Sequence, residues 1–270
     1  MNEPLKLMFI AAHPDDEALG MGFTLAKYAA EGVEVSLVCA TRGERGWTGP
    51  AEDDPGLQAL GRVREAELRA SARVLGAKEI HLLDYIDGDL DQADPHEAAL
   101  KIAALLRRVR PQVAVTFDPF GAYGHPDHIA ISQFTASAVL LAARPDLLDG
   151  GLEPFVLPKL YYMVDSQPLV DMYSELMGET LSMEVRGERR LHTGWPVWAA
   201  GTRIDASAHW ETGMQAIACH RSQVADFIDK LLEIPQRYGK GIWAVQTFYR
   251  VFSLVNGGSQ PEDDLFAGLR

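Results

Sequence analysis

Four short apolar runs, each separated from the next by an amphipathic stretch, set the tightest limit on how this chain folds. Leu5–Ala12, Val33–Ala40, Ile80–Leu83 and Val113–Phe117 have the length of buried strands and are bounded by turn residues. Between them, Glu17–Glu31, Leu57–Leu75 and Pro95–Arg110 place apolar residues at three- and four-residue spacing, and the first two stretches stop at Gly32 and Gly76, where a left-handed cap is wanted. That rhythm predicts an α/β fold of three layers, with a mostly parallel sheet of core order 3-2-1-4 and helices on both faces.

Past a helix over Ile129–Ala143 the pattern loosens. Lys159–Val164, Leu181–Val185 and Thr247–Val255 read as strands, and Trp210–Ala218 and Gln223–Glu233 as helices. No repeat and no flexible linker divides the chain. The expected organisation is one domain over residues 1–255, with a core at 1–145 and a C-terminal elaboration at 146–255. The proline-rich stretch Ala143–Pro158 is the seam, and residues 256–270 read as a mobile tail.

Composition narrows the function. The chain carries 25 basic against 38 acidic residues, a net charge of −13, which argues against nucleic acid as a partner because duplex affinity comes from Lys and Arg neutralising phosphates. No run reaches the ~18 to 20 apolar residues of a membrane helix, and the N-terminus does not read as a secretory signal. Cys39 and Cys219 form no disulfide framework and no C-x-x-C pair, so the expectation is a reduced, cytoplasmic protein.

The chemistry concentrates in two clusters. Ala12-His13-Pro14-Asp15-Asp16-Glu17 follows the first strand, and His125-Pro126-Asp127-His128 follows the fourth. In the order 3-2-1-4 those strands are neighbours, and their C-terminal ends flank the crevice where connections diverge. Two imidazoles and a carboxylate there suit a catalytic zinc with a fourth position left for water; iron(II), nickel or manganese use similar ligands. His13 and Asp16, three apart across a helix start, can aim at one ion and leave Asp15 to act as a base. Gly20-Met21-Gly22 lacks the third glycine of a dinucleotide loop and reads as close packing, and neither a P-loop nor a G-x-S-x-G elbow is present.

These motifs resemble the LmbE/PIG-L-like zinc-dependent N-acetylglucosaminyl deacetylases, a family with a Rossmann-like fold. AAHPDDE at Ala11–Glu17 and GHPDH at Gly124–His128 match its two metal motifs, and Thr41-Arg42-Gly43-Glu44, Arg64-Glu65-Ala66-Glu67 and His220-Arg221-Ser222-Gln223 resemble its secondary landmarks in the same order. The resemblance spans residues 5 to about 225 and is thin between 145 and 215. It implies one Zn2+ held by His13, Asp16 and His128, with Asp15 as general base and a protonated His125 as oxyanion donor. It also implies an N-acetylated amino-sugar substrate, and family members commonly self-associate.

Other positions carry two readings each. Asp127 either orients a histidine or caps a helix. Arg42 and Arg64 are candidates for substrate hydroxyls or an anionic group, with an exposed Arg64–Glu67 pair as the plainer account. Asp87 is either a sugar contact or a turn residue, and His220 either a helix-end residue or part of the active-site wall. Trp195-Pro196-Val197-Trp198 suits a sugar pocket or a core or subunit contact. His81, His96, His192 and His209 read as ordinary. Two rivals to a deacetylase remain at this level: a metal-dependent hydrolase of another amide, an ester or a phosphoester, and a non-catalytic sugar- or nucleotide-binding module.

Overall fold

The computed structural model describes residues 3–147, 151–185, 187–257 and 261–270. Strands β1 (Lys6–Ala11), β2 (Glu34–Thr41), β3 (Glu79–Tyr85) and β4 (Val113–Phe117) run parallel in the order β3-β2-β1-β4. β1, β2 and β4 are covered on both faces along nearly their whole length, which explains why their sequences are unbroken apolar runs rather than alternating ones. The covering helices are α1 (Asp16–Ala30), α2 (Leu57–Leu75), α3 (Pro95–Val109) and α4 (Pro126–Ala142); α1 packs on α2, and α3 on α4. α2 stops at Gly76, whose φ of 75° is open to glycine and strained for other residues.

The C-terminal part continues the same sheet. β5 (Lys159–Val164) adds parallel to β4 and is followed by α5 (Gln167–Met177) and the antiparallel pair β6 (Ser182–Val185) and β7 (Glu188–Leu191). After β8 (Thr202–Asp205) come α6 (Trp210–Ile217), α7 (Arg221–Val224), α8 (Ile228–Arg237), α9 (Gly241–Ala244) and β9 (Val245–Ser253). β9 pairs antiparallel with both β5 and β8, completing the order β3-β2-β1-β4-β5-β9-β8. Residues 148–150, within the expected seam, lie outside the described residues. No described helix is long and apolar enough to cross a membrane, and both cysteines are free.

Two expectations are corrected. The helix expected over Gln223–Glu233 is two helices, α7 and α8, separated at Phe227, whose φ of −133° leaves the helical region. The tail expected to be mobile is packed from Glu262 onward: Leu265 and Phe266 are fully buried, and the Glu262 carboxylate accepts hydrogen bonds from Lys159, Tyr161, Thr202 and Asn256. A polar, glycine-rich composition conceals these anchors. Residues 258–260 of that tail lie outside the described set.

Candidate metal centre and active site

β1 and β4 deliver the two motifs to one place. The loop after β1 places His13 at its turn and Asp16 in the first turn of α1, while the loop after β4 leads into α4, whose first turn carries Asp127 and His128. Asp16 Oδ2 accepts the backbone N–H groups of Ala12 and His13 at 3.0 and 2.8 Å, which fixes the carboxylate and leaves Oδ1 toward His128. His13 Nδ1 lies 3.2 Å from His128 Nε2, and Asp16 Oδ1 lies 3.5 Å from the same nitrogen. Donors bound at ~2.0–2.2 Å to a tetrahedral zinc stand about 3.3–3.6 Å apart, so His128 Nε2 stands near ligand spacing from both of the other atoms, and the three residues offer donor atoms within 4.8 Å of one another.

The far side of each imidazole is also fixed. His13 Nε2 faces Asp127 Oδ2 and Asp87 Oδ1, each at 3.1 Å, an arrangement that turns Nδ1 toward the ion position. Asp127 is fully buried and its oxygens accept N–H groups from Gly88 and Leu90 at 2.7 and 3.2 Å. It therefore faces a histidine and is not the helix cap. The cap is His125, whose Nδ1 accepts the Asp127 N–H at 3.1 Å. His128 stacks on Phe117 with ring centroids 3.8 Å apart and on His125 at 4.7 Å. A second grouping, His13 with His125 and Asp127, also brings donor atoms close. It fits an ion less well because the Asp127 oxygens and His125 Nδ1 are already committed.

Asp15 occupies the N-cap position of α1 at φ 110°, a backbone region that costs a non-glycine residue roughly 1–3 kcal/mol. Two side chains hold it there. Its N–H donates to Glu17 Oε2 at 3.0 Å, and Arg64 donates to its Oδ2 at 3.2 Å and to the Pro14 carbonyl at 2.7 Å. Arg64 is buried, not an exposed partner of Glu67, and its other terminal nitrogen donates to the Gly43 carbonyl at 2.9 Å. Glu17 is fixed in turn by Ser71 and by His220 Nε2, at 2.5 and 2.6 Å from Oε1. His220 therefore faces Glu17.

Charge follows from this burial. Burial opposes a proton on His13, but Asp127, Asp87 and Asp16 outweigh it and raise the imidazole to about 10. Burial, reinforced by the neighbouring His13 charge, pulls His125 down to about 4 and His128 well below the ordinary histidine value. Burial also pushes Asp15 upward against the pull of Arg64, and Asp16 up to about 7 against the pull of His13. Because His125 Nδ1 accepts the Asp127 N–H, Nε2 is the ring nitrogen placed to donate.

Arg42 pairs with Glu65 and Asp84, each at 2.7 Å, and of the predicted site residues only Asp15, Asp16 and His128 line the cavity beside the centre. Asp87 faces His13 rather than open space. That cavity measures about 760 Å³ and reaches from Asp15, Asp16 and His128 across to α5, α8 and α9. Trp195 does not line it, but donates to Asp118 at 2.5 Å, and Trp198 is 86% exposed. His192, read as ordinary, does line it and pairs with Asp165 at 2.8 Å. Sequence reasoning named Gly43 only as part of a landmark and missed Gly46. A Cβ on either would occupy the space of the Arg64 guanidinium, so the glycines of Arg42-Gly43-Glu44-Arg45-Gly46 make room for the group that holds Asp15.

Comparison with known proteins agrees with this architecture. Residues 8–139 match the family model described as PIG-L: GlcNAc-PI de-N-acetylase. Two relatives are named 1D-myo-inositol 2-acetamido-2-deoxy-alpha-D-glucopyranoside deacetylase: one from Kineococcus radiotolerans, 32% identical over 100% of this chain and 84% of its own, and one from Thermobifida fusca, 36% identical over 82% and 84%. Among solved structures, N,N'-diacetylchitobiose deacetylase from Pyrococcus horikoshii is 26% identical with a TM-score of 0.66, covering 92% of this chain and 83% of that one. The chain belongs to the PIG-L family, the LmbE-like de-N-acetylases to which its two histidine–aspartate motifs point.

Proposed function

We propose that this protein is a zinc-dependent hydrolase that removes the N-acetyl group from a small molecule containing N-acetylglucosamine. The observation that carries the reading is the meeting of His13 Nδ1, His128 Nε2 and Asp16 Oδ1 beside Asp15 at one end of a cavity. The names of the relatives support the substrate class. A divalent ion held by those three residues would polarise the acetyl carbonyl and acidify a water molecule.

The chain's own residues supply the remaining chemistry. Asp15 accepts a proton from the attacking water at its carboxylate and delivers it to the departing amine nitrogen. Arg64 holds that carboxylate, and Glu17 holds the Asp15 backbone N–H, at the head of α1 through both steps. His125 donates Nε2–H to the carbonyl oxygen as negative charge develops there. Asp127 and Asp87 keep His13 oriented, and Phe117 and His125 clamp His128 between their rings.

The test is amine release from a panel of N-acetylglucosaminides by protein stripped with a chelator and then given zinc or iron(II), with His13→Ala as control. Release that returns with metal and is absent in His13→Ala supports the proposal. Tight metal binding without release from any member points to another amide or ester.

A further inference from the structure

The loop that delivers His125 does not hold its shape by local bonds alone. Between β4 and α4, Gly121, Ala122 and Gly124 take φ of 70°, 60° and 78°, the left-handed region that side chains disfavour. Asp118 Oδ1 organises the first half by accepting the Gly121 and Ala122 N–H groups at 2.6 and 3.3 Å. In the second half, the Gly124 N–H donates to the Gly121 carbonyl at 3.2 Å.

A later segment of the chain grips this loop at both ends. Arg190 Nη1 donates to the Gly124 carbonyl at 2.8 Å, and Trp195 Nε1 donates to Asp118 Oδ2 at 2.5 Å. Along β7 the side chains alternate: Arg189 and Leu191 are exposed, Arg190 is half-buried, and His192 just beyond the strand is buried. Among the described residues β6 and β7 pair only with each other, and an isolated hairpin is marginal in water, so its seat depends on contacts outside the ladder. Asp165, at the end of β5, supplies two of them: its carboxylate faces His192 Nε2 at 2.8 Å, and its carbonyl accepts the Trp195 N–H at 2.8 Å.

The Arg190 contact reaches His125 through the backbone. A Cβ on Gly124 would stand 2.6 Å from Arg190 Cδ, so glycine there serves both the positive φ and the close passage of the arginine stem. The Gly124 carbonyl shares a rigid peptide plane with the His125 nitrogen. Holding that oxygen fixes the plane from which His125 departs, while the Asp127 N–H fixes its ring at Nδ1. Neither Arg190 nor Trp195 lines the cavity, so their effect passes through the loop.

We infer that residues 188–195 brace the catalytic loop, with Arg190 as the positioning residue for His125 and Trp195 as the positioning residue for the turn at Asp118. The inference rests on the deacetylase reading for the role of His125 and deepens it. The brace lies outside the motifs that the chain shares with its family.

The experiment compares Arg190→Met, Arg190→Lys, Trp195→Phe and Arg189→Met in the zinc-loaded full chain. Zinc titration, hydrogen–deuterium exchange and amine release from N-acetylglucosamine and N,N'-diacetylchitobiose are measured for each. Arg190→Met keeps the stem and loses the donor. Its kcat is expected to fall about tenfold or more, with KM and zinc affinity within about twofold of native. Amide exchange over residues 119–125 is expected to quicken about tenfold while exchange in α1 is unchanged. Arg190→Lys keeps a charged donor and recovers part of the loss, and Trp195→Phe quickens exchange at Gly121 and Ala122. Arg189→Met, on the outer face of the same strand, leaves every readout native and so separates the contact from the integrity of the hairpin. Exchange needs no turnover, so it decides the brace even if neither sugar is hydrolysed and the deacetylase reading fails. Native kcat in Arg190→Met overturns the inference, as does unchanged loop exchange in Arg190→Met and Trp195→Phe, or an equal change in Arg189→Met.

Discussion

Glu17 Oε2 accepts the backbone N–H of Asp15 at 3.0 Å, so the residue two positions along the chain holds the proposed base in a backbone conformation with φ 110°. The other oxygen of Glu17 is bound by Ser71 and His220, tying α1, α2 and the start of α7 to a single carboxylate. Burial opposes charge on both Glu17 and His220, yet their pairing lowers the first and raises the second. Glu17→Gln keeps the shape and removes the charge. We expect kcat to fall roughly 10- to 100-fold with KM nearly unchanged, the scale seen when an outer partner of a metal site is altered. Steady-state kinetics on the zinc-loaded variant checks this, and an unchanged kcat would remove Glu17 from the account.

Arg64 serves the carbonyls of Pro14 and Gly43 as well as Asp15, so its loss leaves three buried groups without their donor. Breaking a buried pair costs about 3–5 kcal/mol, and a fall in Tm of roughly 6 °C or more is expected for Arg64→Ala. Gly46→Ala should reproduce a milder form of the defect by displacing the guanidinium. Differential scanning calorimetry separates these variants from Arg42→Ala, whose partly exposed ion pairs contribute little.

The His13 proton gives a pH dependence with a definite sign. A histidine raised to about 10 in the folded chain stabilises it fully below the unfolded value near 6.5 and loses that contribution as pH rises through 10. Metal requires the neutral ring at Nδ1, so binding expels the proton and zinc affinity rises with pH across the neutral range. Calorimetric titration of zinc at pH 8, in buffers of differing ionisation enthalpy, should show about one proton released. No release would contradict the environment assigned to His13.

Glu262 anchors the C-terminal residues. Burial works against its charge, but Asn256, Lys159 and Tyr161 hold its carboxyl at about 2. A lowered carboxylate contributes stability above its ordinary value near 4.5 and loses it as pH falls toward 2. Glu262→Ala should cost about 3–5 kcal/mol at neutral pH, with the gap to the native chain closing in acid. Urea titrations at pH 7 and pH 3 measure both quantities.

The parallel core was legible because β1, β2 and β4 are buried on both faces and read as continuous apolar runs. The two motifs were legible because a strand end followed by a helix start puts His13, Asp16 and His128 at one crevice. Arg64 was ambiguous in sequence, since only the tertiary placement of Gly43 and Gly46 shows that its guanidinium points inward. α5 was overlooked although Ser166, Pro168 and Gly178 mark its ends, and with it went one wall of the cavity. The anchoring of the tail depends on Lys159 and Tyr161 about a hundred residues away, contacts that local pattern does not encode.

The central claim is that three residues hold the ion while a fourth, Asp15, moves the proton. Zinc titration of Asp15→Asn, with amine release followed in the same samples, tests it most directly. The account predicts one equivalent of zinc bound at near-native affinity and turnover reduced at least about 100-fold. Native turnover in Asp15→Asn, or loss of the bound zinc, would contradict it.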